Sequence, residues 1–430
     1  MRPVRALARR FVRCSLALAA ACGVVATSSA QRAGEPGGPG LALAAAKALV
    51  ASWDGEQVVD DALVLVRDGK IERVAARADA QPPEGYELVD LGDAWLMPGM
   101  IDLHSHIGGS GDINDMVYQT NEGLRVSVAV VPQTPNLLRA LSAGVTTILF
   151  IPGSGTNIGG QGILMKTGLD TFEASRLRDP GSMKVAQGDN PARWAYGMGR
   201  SMMNYHIRTS VRRGLGYAHR WEAFERGAGP RPHVDPQYET FRALSSGEAQ
   251  ISTHTQMYQL VHATIRILKQ EFGLDVFIDH GEWGGFLATP EAERLGIAAI
   301  VGPREVDTPE GRHYTDGAIF SCAGEFQRRG LSKIGFNTDA PVVPAEELPL
   351  QAGVSIKYGF DPSQMQAVRG LTIVPAVVAG IDERVGSLER GKDADITVIT
   401  GDPADPRSWV QRVYIDGREV YDHSKAVRRW

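Results

Sequence analysis

The sequence predicts an α/β fold in which a (β/α)8 barrel carries a small β domain assembled from both ends of the chain. Three observations predict it. Eight short strand-like runs lie between about residues 96 and 340, several of them separated by helical stretches; the polar residues of chemical interest follow five different runs; and alternating runs broken by Asp-Gly stand near both termini. An open doubly wound sheet is the alternative, and the spread of polar residues over five strands favours the barrel.

The 430 residues, 43% of them apolar, allow one large α/β domain with an appendage or two ordinary domains. Residues 1–30 stand apart. Arg2, Arg5, Arg9, Arg10 and Arg13 come without an acid, an apolar run follows from Ser15 to about Thr27, and Ser28-Ser29-Ala30 precedes Gln31. This is the pattern of a secretory signal peptide cut after Ala30, and the apolar run is shorter than the roughly 20 residues a bilayer span needs. The expected location is periplasmic or extracellular. Arg9-Arg10-Phe11 hints at twin-arginine export and Ala20-Ala21-Cys22-Gly23 at a lipoprotein, each without its full pattern. Loss of the five arginines takes the formal charge from −5 to −10, so the mature chain is acidic and nucleic acid is not an expected partner. Cys14 and Cys22 leave with the signal. The remaining cysteine, Cys322, leaves no internal disulfide and reads as buried filler rather than a nucleophile.

A Gly/Pro-rich linker occupies residues 31–40. The next stretch, from Ala62 to Val74, is two alternating runs joined by Asp68-Gly69, a β-hairpin; near the other end a run at 395–399 is followed by a second Asp-Gly hairpin around Asp416-Gly417. Residues 41–97 with 383–430 are therefore expected to form one composite β-sandwich, and 98–382 the barrel. Barrel strands are predicted at 96–106, 145–151, 162–165, 182–185, 250–253, 275–278, 297–301 and 333–336, with helices at 258–272 and 290–295 among the connections.

The first of these strands ends in His104-Ser105-His106. Residues i and i+2 of a strand share a face, so both imidazoles can converge on one divalent ion. His-x-His is a weak signal by itself. It gains weight because His254 ends the fifth strand, His280 the sixth, Asp339 follows the eighth and Lys184 lies in the fourth, each at the mouth of the barrel.

The chain resembles the amidohydrolase superfamily, in particular its imidazolonepropionase-like secreted bacterial members. The resemblance is carried by Pro98-Gly-Met-Ile-Asp-Leu-His104-Ser-His106, Ala143-Gly-Val-Thr-Thr147, Ile158-Gly-Gly-Gln-Gly162, Met183-Lys184, Ser252-Thr-His254, Asp279-His280, Asn337-Thr-Asp339 and the run from Val385 to Asp395. It implies a metal-dependent hydrolase barrel with zinc as the expected ion, one or two per chain. His104, His106, His254 and His280 match the family's imidazole ligands, and Asp339 the aspartate that binds metal and shuttles the proton. Lys184 falls where many relatives carry a carboxylated, metal-bridging lysine, which would make the site binuclear; its flanks equally fit a plain cation for a substrate carboxylate. The segment Gly188-Asp189-Asn190-Pro191-Ala192 departs from the Gly-Glu-Asn-Pro-Lys of many relatives, which bears on specificity.

Such a site hydrolyses C–N bonds other than ordinary protein peptide bonds: an amide, a cyclic amide or a small peptide-like molecule. Ester or lactone hydrolysis and dipeptidase action use the same parts. Deamination of a base is disfavoured because no glutamate follows His254 in Thr255-Gln-Met-Tyr258. A non-catalytic exported binding protein is the rival outside enzymes. Asn157, Gln161, Asn190, Glu282 and Arg304 are candidate substrate contacts at the mouth, the partner is a small molecule, and self-association is left open.

Overall fold

The computed structural model describes residues 38–426 except 56, 112, 195–197, 304–305 and 307–318. The expected signal peptide, most of the linker and the candidate Arg304 lie outside the described residues. Five strands come first: β1 (Gly40–Leu49), β2 (Val58–Arg67), β3 (Lys70–Ala76), β4 (Tyr86–Asp90) and β5 (Trp95–Pro98). The barrel follows with β6 (Met100–Ser105), β7 (Val145–Phe150), β8 (Ile158–Lys166), β9 (Arg176–Ala186), β10 (Gln250–Thr255), β11 (Val276–His280), β12 (Ala299–Val301) and β13 (Ile334–Phe336). Three strands close the chain: β14 (Ile396–Ile399), β15 (Val410–Ile415) and β16 (Arg418–Asp422). No helix among the described residues is long and apolar enough to cross a membrane.

Both ends of the chain enter one eight-stranded sheet in the order β16-β15-β14-β5-β1-β2-β3, with β4 also on β1. The Asp-Gly turns make it: Asp68 and Gly69 sit at φ 50 and 76, Asp416 and Gly417 at φ 49 and 71. Both pairs are left-handed, as a two-residue hairpin demands and as Asp-Gly tolerates.

The second sheet runs β6 to β13 in sequence order. It nearly closes: Ser105 bridges Ala340, and His106 N donates to Ala340 O at 2.7 Å, joining the first strand to the chain beyond the eighth. One expectation needs correcting, since the barrel is not all parallel. β8 runs antiparallel to both β7 and β9. A parallel crossover needs a dozen or more residues, whereas only residues 151–157 link β7 to β8 and 167–175 link β8 to β9. The chain must turn back each time.

The reversal places Lys166 at the floor of the barrel rather than its mouth. There its Nζ lies 2.9 Å from Asp393 and Asp395 and 2.7 Å from Asp416, fixing the barrel to the terminal sheet. Burial alone would raise Asp393, but Lys166 and then Lys70 hold it at about 2. Above that floor Ile101, Leu103, Leu149, Leu164, Phe277 and Ile300 form an apolar cluster drawn from five strands, together with helix Ile373–Ala379.

Candidate metal centre

Local backbone irregularities aim the polar side chains. The pairing of β6 with β7 shifts register between Asp102 and Ser105, a bulge of the kind that re-aims side chains beside active sites. His280 and Asp339 hold left-handed backbone at φ 72 and 48. Non-glycine residues seldom adopt this conformation unless the surroundings enforce it. On β11 it lets two successive residues, Asp279 and His280, serve the same interior. Near β13 it lets Thr338 bind Asp102 Oδ2 while Asp339 turns to the histidines.

The tautomers follow from the partners. His106 Nδ1 lies 2.9 Å from Ile151 O, an acceptor only, so it carries the proton and Nε2 keeps its lone pair. Gly302 O does the same for His280 Nδ1. The Asp279 carboxylate lies 3.2 Å from His104 Nδ1. The Nε2 lone pairs of His106 and His280 are thereby turned inward, and Lys184 Nζ meets His104 Nε2 at 2.9 Å. His106 Nε2 is 3.1 Å and His104 Nε2 3.4 Å from Asp339 Oδ1, and His280 Nε2 is 2.8 Å from His254 Nδ1. A lone pair facing a carboxylate, as at His106, is repelled unless a cation lies between them, whereas His280 Nε2 can accept from His254 Nδ1–H.

The donor set fits a divalent ion. His104, His254 and His280 bring three ligand atoms within 4.8 Å of one another, and so do His104, His106 and Asp339. Imidazole nitrogen with carboxylate oxygen is a set suited to zinc. Burial, then the neighbouring Lys184, pushes His104 well below its ordinary pKa; burial and His280 do so for His254, and burial takes His280 to about 4. All three are neutral at pH 7, the form that binds metal. Burial opposes ionisation of Asp339, but its contact with His106 and the nearby His280 and His254 hold it below the usual carboxylate range.

Lys184 is buried with its Nζ 2.9 Å from Nε2 of His104, the histidine common to both groups, and burial lowers it to about 8. Asn190 joins the centre as well: its amide lies 2.7 Å from Ser154 Oγ and 3.4 Å from His254 Nε2. Asn157 is buried beside β9, its Nδ2 donating to Ala186 O at 2.8 Å. Gln161 belongs to β8 rather than to a loop, and its Nε2 is held by Glu122 O at 2.9 Å. Glu282 is buried just beyond His280. Asp102, Thr338 and Asp279 are additions that sequence reasoning did not assign. Asp279 directly precedes a histidine, but simple strand alternation would have sent the two side chains to opposite faces.

The amidohydrolase family model matches residues 297–420. An amidohydrolase of known structure from Thermotoga maritima MSB8 superposes with a TM-score of 0.78 at 28% identity, covering 89% of this chain and 100% of that one. By sequence and by fold the chain is similar to amidohydrolases. Amidohydrolase tasK of Hapsidospora irregularis is 27% identical over 86% of this chain, which spans only 40% of that protein's length. Imidazolonepropionase of Maricaulis maris (strain MCS10) is 24% identical over 86% of this chain and 95% of its own. The chain is thus imidazolonepropionase-like in sequence, and these matches support a hydrolase acting on C–N bonds.

Proposed function

We propose that this protein hydrolyses the C–N bond of an amide, a cyclic amide or a small peptide-like molecule, at a zinc centre held by His104, His106, His254, His280, Asp339 and carboxylated Lys184. The observation that carries the reading is the gathering of four imidazoles in the barrel interior, His104 and His106 Nε2 against Asp339 Oδ1 and the His254–His280 pair beside His104. A divalent ion there supplies a water of pKa about 7 and a Lewis acid for the carbonyl. The rest is done by the chain. Asp339, ionised at neutral pH, takes the proton of the attacking water; as the C–O bond forms and the C–N bond breaks, it returns that proton to the leaving nitrogen. Asn157 Oδ1 is buried without a hydrogen-bond donor among the described residues, a place for a substrate N–H.

Lys184 decides the number of ions. A buried ammonium beside His104 Nε2 competes with metal, whereas its neutral amine adds to carbon dioxide, forms the N–C bond of a carbamate and releases a proton. The product presents oxygens to both groups of ligands. The test joins metal analysis to a screen of amides, cyclic imides, dipeptides and lactones. Two ions per chain and turnover of a C–N substrate are expected, with Lys184→Ala falling to one ion or none and partly restored by a short-chain carboxylic acid. One ion in active wild-type protein, unchanged in the variant, would leave Lys184 a substrate-anchoring cation.

We further infer that residues 41–97 with 383–430 form a supporting β-sandwich beside the barrel of 98–382. The fork in β1, whose first half pairs with β4 and second half with β5, supports this reading. Export is inferred from residues 1–30 alone, and N-terminal sequencing is expected to find Gln31 first; a retained Met1 would refute it.

A further inference from the structure

The four imidazoles do not receive equal support from behind. His106 and His280 have backbone carbonyls on their outer nitrogens, from Ile151 and Gly302, and His254 has the amide of Asn190. His104 alone, among the described residues, has a carboxylate there: Asp279 Oδ2, 3.2 Å from Nδ1, with both side chains fully buried. His104 is also the one histidine shared by the two candidate ligand groups. The other surroundings of Asp279 sharpen the point. Neither of its oxygens has an aligned hydrogen-bond donor among the described residues, and His104 Nδ1 has no aligned partner either, so the two groups meet by close approach at 3.2 Å. A carboxylate buried without donors is costly in a core, so its placement against the shared ligand calls for a reason.

We propose that Asp279 is the positioning residue of the centre: it keeps the proton on His104 Nδ1 and so holds Nε2, the ligand atom, open toward both groups. The backbone makes this possible. β11 pairs Asp279 with His254 and with Ile300, so the residue is fixed on both sides by the sheet. The left-handed turn at His280 then brings the next side chain back to the same interior, where His280 meets His254. A carboxylate behind a metal-binding imidazole fixes its tautomer and raises its basicity, and losing such a partner costs about 10- to 100-fold in metal affinity. Asp102, two residues before His104 on β6, and Thr338, which donates to Asp102, position the backbone of His104 rather than its ring.

The inference rests on the metal centre proposed above, and the experiment separates the two. Zinc affinity is measured by competition with a chromophoric chelator for the wild type, Asp279→Asn and Asp279→Ala, and again with each change placed on His104→Ala. The expected result is a fall of about tenfold or more for Asp279→Ala, a smaller fall for Asp279→Asn, whose amide oxygen can still face Nδ1, and no further fall when either is added to His104→Ala. In 15N-histidine-labelled Lys184→Ala protein, where no ammonium meets His104 Nε2, the His104 signal is expected to change tautomer when Asp279→Ala is added, without zinc present. Unchanged affinity and an unchanged His104 tautomer would overturn the role of Asp279. If the alanine variant does not fold, Asp279→Asn alone decides: affinity and tautomer both unchanged would overturn it. A wild-type chain that bound no zinc would instead overturn the metal centre itself.

Discussion

His104→Ala is expected to remove metal from the whole centre, lowering affinity by more than about 100-fold, beyond the cost of losing an outer partner, and to abolish turnover with it. His104 contributes to both ligand groups, so its loss leaves only His254 with His280 on one side and His106 with Asp339 on the other. Each pair then depends on carboxylated Lys184 for the third of the protein ligands that catalytic zinc usually takes. His106→Ala should be milder, because His104, His254 and His280 stay together. Metal analysis after dialysis, run beside turnover of the substrate found by screening, checks the order. Equal metal loss in the two variants, or metal retained by His104→Ala, would show that His104 is not the shared ligand.

Asp339→Asn should separate binding from chemistry. Asparagine adopts left-handed backbone as readily as aspartate, so the φ of 48 at this position is no obstacle to the exchange. Its oxygen still faces His106 and His104, and the centre should keep much of its metal. What disappears is a group that accepts and returns a proton. The loss expected in kcat is about 10²- to 10⁴-fold, with KM little changed. A fall of less than about tenfold would assign the proton transfer to another group.

The sequence made the barrel legible because each strand is a short apolar run and the polar ligands come just beyond its end. All eight runs became strands, and both Asp-Gly pairs became the expected turns. His254, His280, His104, His106, Lys184 and Asp339 were brought within reach of one another, as their places at strand ends implied. The direction of β8 was not legible, since an apolar run looks alike in either sense; only the shortness of its flanking connections forces the reversal. Asp279 was hidden for a related reason. Alternation assigns faces correctly only while φ stays in the extended region, and a left-handed residue such as His280 cancels it without any mark in the composition. Gln161 likewise sat among glycines that suggest a loop, although the sheet continues through them.

The floor of the barrel dictates an order of events on the ribosome. Lys166 emerges early, but Asp395 and Asp416 lie 229 and 250 residues further along the chain. Such distant partners bring a heavy loop-closure cost and slow assembly. Until they are synthesised, the lysine has none of these counter-charges to be buried with, and the floor cannot be sealed. A chain released before Asp393 should therefore be open at the base and prone to aggregate, even with every proposed metal ligand already made.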